Sequence, residues 1–464
     1  MRIARLILVS LMLCPLARSA PAVDDAQREL VYKEFRAAFD AKQYSTALPS
    51  AEKLVALTEQ QYGADHVALV NPLSNLGTVY YRMENYASAE IHFQRAVRLL
   101  EAKGGGGGVD HQLIRPLHGL GETWFAAQQY SEAAAALKRA IDISRNSDGL
   151  FNVEQLPILT TLIDSYIALG RRSDADKEQQ YAFRVAESNF GPKDLRLLEP
   201  LDRYARWFES DGRYLSARAL HSRGLQLAEE VGGPARLRTV TPLRGIARTY
   251  YLEFLFGADK KEESALEPDP FALPSNSSNS VSRLNPDGEK ALRLAIAALT
   301  KSTPVDQHLR GDTLIDLGDW YLVSGEQAKA KDIYHLAWLD LAAVQSTRRL
   351  AAPRQLVYRP PLGSVARVHP SKPAEWEEKT AEMSFQVTSV GTVTDIKLIK
   401  ANVSESLVKG VTLALHKSLY APRIEAGVAE ATNDVRFVEH LLVRKPSAPT
   451  PAPAAPATTT KPNA

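Results

Sequence analysis

Thiols are almost missing from this chain: of 464 residues only one, Cys14, is cysteine. That excludes internal disulfides, thiolate metal centres and, beyond residue 14, a cysteine nucleophile. Excess charge of either sign is also lacking, since the formal net charge is +2. A basic nucleic-acid footprint and an acidic tail are therefore both absent from the balance. Beyond the first residues no apolar run approaches the ~18–20 residues of a membrane span. Catalytic signatures are lacking too, with no His-Glu-x-x-His, Walker loop, dinucleotide glycine pattern or Gly-x-Ser-x-Gly. Ser50-x-x-Lys53 and Ser406-x-x-Lys409 have serine-lysine spacing but none of the companion motifs. His111 and His118 could share a helix face, but two histidines seven apart read as ordinary polar residues rather than a metal site. Asn276-Ser277-Ser278 is a glycosylation sequon only in a eukaryotic secretory setting. No enzyme, cofactor, metal site or small-molecule substrate is expected.

The start of the chain, MRIARLILVSLMLCPLARSAPA, has Arg2 and Arg5, an apolar run from Leu6 to Leu13, then Ala20 and Ala22. This layout predicts a signal peptide over 1–22 and export to the periplasm. The alternative is an uncleaved anchor in the inner membrane. Leu13, in front of Cys14, is too large for a lipoprotein signal.

Internal repetition governs the next 300 residues or so. LSNLGTVYYRMENYASAEIHFQRAV (73–97) and LHGLGETWFAAQQYSEAAAALKRAI (117–141) share Leu, Leu-Gly, aromatic, Tyr and Ala at equal offsets. A fixed alanine recurs as Ala47, Ala89, Ala133, Ala175 and Ala217, 42 to 44 residues apart. A further unit carries Leu317, Gly318, Tyr321, Ala330, Tyr334 and Ala337. These residues resemble the tetratricopeptide repeat, a pair of antiparallel helices. QYGADHVAL (61–69) resembles the inter-repeat turn of its longer, kinesin-light-chain-like form. The resemblance implies a solenoid of about seven helix pairs over 28–345. One pair is interrupted by a Pro/Ser/Asn-rich insertion, 257–287, expected to be disordered, and GGGGG at 104–108 lengthens one turn.

In such solenoids partners bind the face lined by each unit's first helix. The repeat's groove positions carry over to Asn71, Asn75, Tyr81 and Arg82, then to Arg115, His118, Glu122 and Phe125. They continue at Arg203, Arg206, Arg244, Arg248 and Tyr251. Four arginines on two neighbouring first helices suit carboxylates. The expected partner is a protein or peptide, acidic or offering a C-terminal carboxylate. The rival reading is a solvated face neutralised by nearby acids such as Glu199, Asp202 and Glu209.

After Val344 the helical period stops. Pro353, Pro360, Pro361, Pro370 and Pro373 mark residues 346–375 as an extended linker. EMSFQVTS alternates, a turn follows at Val390-Gly391, and TVTDIKLIKA completes a predicted hairpin. SESLVKGVTLALHKSLY (404–420) spaces Leu407, Val411, Leu415 and Leu419 by four, a helix stripe capped by Ser404. Pro422 is expected to stop that helix, Gly427 to permit a turn, and TNDVRFVEHLLV (432–443) to form a third strand. FQVTSVGTVTDIKLIKA and YAPRIEAG together resemble the C-terminal domain of TonB-family proteins, covering 376–444. The fold class is thus mostly α, a helical-hairpin solenoid followed by a small α+β domain of β-β-α-β order. Residues 445–464 read as a disordered Pro/Ala/Thr tail. The resemblance implies an exposed edge strand, Thr432 to Val443, with Val435, Arg436, Phe437 and Val438 at its centre. Such an edge pairs with an extended segment of a partner, an outer-membrane protein in that family. Val428 stands where the family often has proline. The leading expectation is a non-enzymatic periplasmic scaffold; the alternative is an energy transducer anchored by an uncleaved N-terminus.

Overall fold

The structure is a computed structural model. It describes residues 25–103, 111–230, 237–257, 284–361, 363–365 and 376–445. The expected signal peptide, the glycine run at 104–108, most of the 257–287 insertion and nearly all of the tail lie outside these residues. The chain divides into two compact units, Met1–Pro200 and Leu201–Ala464.

The first unit is built of helical pairs: α1 (Asp25–Asp40) with α2 (Tyr44–Tyr62), α3 (Val70–Arg82) with α4 (Tyr86–Lys103), α5 (Ile114–Ala126) with α6 (Tyr130–Ser147), and α7 (Gln155–Ala168) with α8 (Arg172–Phe190). Small residues set the distance within a pair. A Cβ on Gly121 would lie 2.4 Å from Leu137 Cγ, and one on Gly77 would lie 3.0 Å from the Phe93 ring. Ala47, Ala89, Ala133 and Ala175 have no exposed surface. The repeating Gly and Ala positions are thus the places where helices touch.

The turn inside each pair repeats as well. Lys42, Glu84, Gln128 and Gly170 all take positive φ, between 58° and 69°. One left-handed residue is what the sharp reversal between antiparallel helices requires.

The second unit continues with α9 (Leu198–Ser210) and α10 (Tyr214–Glu230), α11 (Val240–Phe256) and α12 (Pro286–Thr300), and α13 (Gln307–Val323) and α14 (Gln327–Ala343). The α12 helix begins inside the stretch expected to be disordered. Leu284 is buried, the Asn285 side chain accepts a hydrogen bond from the Asp287 amide, and Pro286 occupies the first turn. Gly318 repeats the contact seen at Gly121, its missing Cβ leaving room for the Tyr334 ring.

The end of this unit holds β1 (Arg354–Val357), β2 (Trp376–Val387), β3 (Val393–Ala401), α15 (Glu405–His416), β4 (Leu419–Ala421), β5 (Arg423–Glu425), β6 (Val428–Glu430) and β7 (Thr432–Arg444). Strands β3, β2 and β7 form an antiparallel sheet in that order. Val411 and Leu415 of α15 pack with Ala381, Met383, Phe385, Val387 and Val393 of the sheet.

Three expectations need correction. The helix ends at His416, not beyond Leu419, because Leu419–Ala421 forms a strand with Arg354–Val357. Pro422 therefore separates two strands, and Ala426 and Gly427, at φ 49° and 78°, make the two-residue turn of the β5–β6 hairpin. Part of the 346–375 stretch is extended, but as a paired strand on the helices rather than a free spacer.

Candidate functional site

In the first unit the first helices α3 and α5 lie side by side, as do α5 and α7. Arg115 reaches across from α5 and donates to Asn75 Oδ1 of α3 at 2.6 Å. His118 Nε2 lies 3.8 Å from Glu122, and burial pushes this imidazole below its ordinary value against the pull of that carboxylate. Phe125 packs on Tyr130, and the Arg82 guanidinium lies over Tyr81. Asn71 and Arg82 are exposed. These expected groove residues thus form a mostly polar face with one cross-helix bond at its centre.

His111 and His118 do not share a ligand: His111 Nε2 sits 3.1 Å from Asp148, and His118 faces Glu122. Among the described residues no group of three or more His, Cys, Asp or Glu could hold a metal ion. Lys409, of the second Ser-x-x-Lys, pairs with Glu405 at 2.9 Å. Among the described residues no helix is long and apolar enough to cross a membrane.

The second unit corrects the idea of an arginine receptor for carboxylates. Arg206 bonds Asp202 at 2.7 Å. Arg248 makes a two-point contact with Glu209, at 2.7 and 3.0 Å, and Arg244 donates to Asp316 at 2.8 Å. Arg203 is half-buried on α9. The forks of Arg206, Arg244 and Arg248 are thus engaged by carboxylates of the chain itself. Buried Glu209 also faces His221 Nε2 at 2.9 Å. Burial raises the Glu209 carboxyl, but the bonds from His221 and Arg248 outweigh it and hold it below the ordinary glutamate value.

A different constellation emerges around α13. Asp312, Asp316 and Asp319, spaced by four and three, form an acidic stripe on this first helix. The stripe is met by the chain's own residues 349–358. Arg349 bonds Asp312 at 2.8 Å and Asp316 at 3.2 Å. Arg354 lies across Asp319 with two bonds of 2.7 and 2.9 Å. Burial would lower the Arg354 value, but the Asp319 charge outweighs it and holds the guanidinium above its ordinary pKa. Tyr251, an expected groove residue, donates its hydroxyl to the Leu356 carbonyl at 2.8 Å. Leu356 itself is buried in the core formed by the helices. An extended peptide therefore already lies on the inner helices of this unit. A cavity of about 650 Å³ remains beside it, walled by Leu252, Leu292, Trp320 and Leu356 and rimmed by Arg244 and Arg248.

Past Leu356 the same segment ties to the sheet. Tyr358 stacks edge-on against Phe437, 5.1 Å between centroids, and donates its hydroxyl to buried Glu439. Ser364 donates to the other Glu439 oxygen at 2.5 Å. The backbone of Gly363 and Val365 bonds β7 at Leu442 and His440. Strand β7 is the outer strand of its sheet, and its outer side at His440–Leu442 is already taken. Val435 and Phe437 turn toward the core under the sheet, while Arg436 and Val438 are exposed.

Asp312, Asp316, Asp319, Arg349, Arg354 and Leu356 were not among the residues read as functional. Their signal was present: three acids on one helix face, and a short Leu-Val-Tyr run behind an arginine between Pro353 and Pro360.

Residues 36–102 match the tetratricopeptide repeat family. That stretch carries tetratricopeptide repeats. Solved structures with similar folds include the apo form of RapI, 14% identical, covering 69% of this chain and 99% of that one at a TM-score of 0.39. A tetratricopeptide repeat protein from Parabacteroides merdae is 14% identical, covering 70% and 99% at 0.38. BtubC (BKLC) from P. vanneervenii is 14% identical, covering 53% and 96% at 0.37. These are distant likenesses. A search of curated proteins found no match.

Proposed function

We propose that this chain is a non-enzymatic scaffold of the bacterial cell envelope. It would be exported to the periplasm, with a helical-repeat array holding a partner segment and a TonB C-terminal-like module presenting a strand to a second partner. Tetratricopeptide repeats are interaction surfaces, with first helices offering side chains to an extended chain. One observation carries the reading: Arg354–Val357 lies extended against α11 and α13, held by a bidentate ion pair and a hydroxyl-to-carbonyl bond. A face that holds one extended polypeptide through side-chain contacts has the chemistry to hold another.

The antiparallel β3-β2-β7 sheet packed on α15, with β7 at its outer place, favours a second reading, a strand-pairing module of TonB type that couples energy to outer-membrane transport. Mass spectrometry of the N-terminus, with cell fractionation, separates the two. A chain beginning near Val23 in the soluble periplasmic fraction supports the scaffold. An intact Met1 recovered in membranes supports the anchored transducer, and recovery in the cytoplasm defeats both.

A further inference from the structure

We propose that the cleft between α11 and α13 is a receptor for an extended, arginine-bearing peptide of the pattern Arg-x-Leu, and that Arg354–Val357 is its resident occupant. The proposal rests on the scaffold reading and supplies the chemistry of the partner.

Every feature of the resident contact is one that peptide receptors use. The arginine is read by a planar two-point bond to Asp319, whose geometry a lysine cannot reproduce. Asp319 is oriented for that task by Tyr334, which donates to Oδ1 at 2.6 Å and is itself buried. Two residues on, Leu356 enters an apolar slot while its carbonyl accepts from Tyr251. The other edge of the segment pairs with Leu419–Ala421, so the backbone is recognised together with the side chains. Asp312 and Asp316 extend the acidic surface toward Arg349. The stripe selects against an acidic peptide, because such a ligand would bring carboxylates against carboxylates.

A tethered occupant competes at an effective concentration on the order of millimolar. An incoming peptide needs an advantage that the resident lacks, and the cavity of about 650 Å³ beside Leu356 provides it. A larger apolar side chain at the Leu356 position would fill volume that the resident leaves open. The cleft would thus favour a partner over its own segment while remaining closed to weaker sequences.

The test uses the full chain and a fluorescent peptide of residues 347–360, TRRLAAPRQLVYRP, alongside a version carrying Leu356→Phe. Loosening the resident with Arg354→Lys plus Leu356→Ala should tighten binding of the added peptide by at least about tenfold over the unaltered chain, because the competent fraction rises. The Leu356→Phe peptide should bind tighter than the parent. Adding Asp319→Asn to the loosened chain should cost about tenfold or more. Equal binding to loosened and unaltered chains, indifference to Asp319→Asn, or no binding at all would overturn the proposal. Circular dichroism checks that the loosened chain folds. If it does not, hydrogen exchange on the unaltered chain decides: millimolar Leu356→Phe peptide should speed exchange at Gln355–Val357 and leave β2 unchanged. Unchanged exchange at Gln355–Val357 would overturn it equally. These readouts do not depend on export, so the scaffold reading could stand if the peptide fails.

Discussion

Arg354 and Asp319 face each other through two nearly equal hydrogen bonds, 2.7 and 2.9 Å, between a strand and a helix 35 residues apart in sequence. Both side chains are largely withdrawn from water, at 26% and 14% exposure. Removing one partner leaves the other charge desolvated, which is the costly way to break such a pair. Asp319→Ala should destabilise the second unit by about 3–5 kcal/mol. It strands Tyr334 and Arg354 together, since both donate to the same oxygen. Adding Arg354→Leu should recover part of the loss. Denaturant unfolding of both single variants and the double variant measures the coupling, and strict additivity would argue that the two charges act independently.

The helical array was legible because its signal is local and repeated. Leu-Gly beside an aromatic, and an alanine every 42 to 44 residues, mark where paired helices touch; Gly121 on Leu137 and Gly318 on Tyr334 show why. The strands β2, β3 and β7 were legible from alternation. The site was not. Asp312, Asp316 and Asp319 were not singled out, because a sequence does not say what lies across from a helix face. Their partners, Arg349 and Arg354, sit in a stretch whose prolines mimic a free linker. The groove arginines failed for the reverse reason: their type suggested a receptor, but Glu209 and Asp316 had already taken Arg248 and Arg244.

Gly391 should be intolerant of any side chain. Its φ is +84°, and a Cβ there would lie 2.1 Å from the Tyr420 carbonyl oxygen, a backbone atom that cannot swing aside. Gly63 has a similar φ of +91° with nothing within 4 Å of that position. Gly63→Ala therefore reports conformational strain alone, about 1–3 kcal/mol. Gly391→Ala should cost at least about 2 kcal/mol more, because the β4 strand must shift as well. Thermal melting of both variants, with hydrogen exchange at Leu419–Ala421, checks this. Similar losses for both would show that the turn yields.

Glu209 gives the second unit an acid-side dependence. Its folded value lies below the ordinary 4.5, so its contribution is fully present above about pH 4.5 and is lost as pH falls through the folded value. The melting temperature of the unaltered chain should therefore exceed that of Glu209→Gln from pH 5 to 7. The gap should close as the pH is taken well below 4.5. A gap that stays constant down to pH 3 would exclude the carboxylate charge as its cause.

The alkaline side is set by tyrosines around the resident segment. Burial, joined by the Asp319 charge, pushes Tyr251 and Tyr334 well above the ordinary 10; burial, joined by a bond to Glu439, does the same to Tyr358; burial alone lifts Tyr420 to about 12. In each case the folded state keeps a proton that the unfolded state has released. Stability is thus fully present below pH 10 and falls as pH climbs from there through the folded values, for Tyr420 between 10 and about 12. Melting followed from pH 8 to 11.5 should show that decline, and Tyr334→Phe should make it shallower by about one proton per molecule. Tyrosinate absorbance read on the same samples tests the assignment, since these rings should ionise with unfolding rather than before it. Ionisation of a full complement of tyrosines at pH 10.5, with melting unchanged, would place these hydroxyls in water and remove the contact that Tyr251 makes with Leu356.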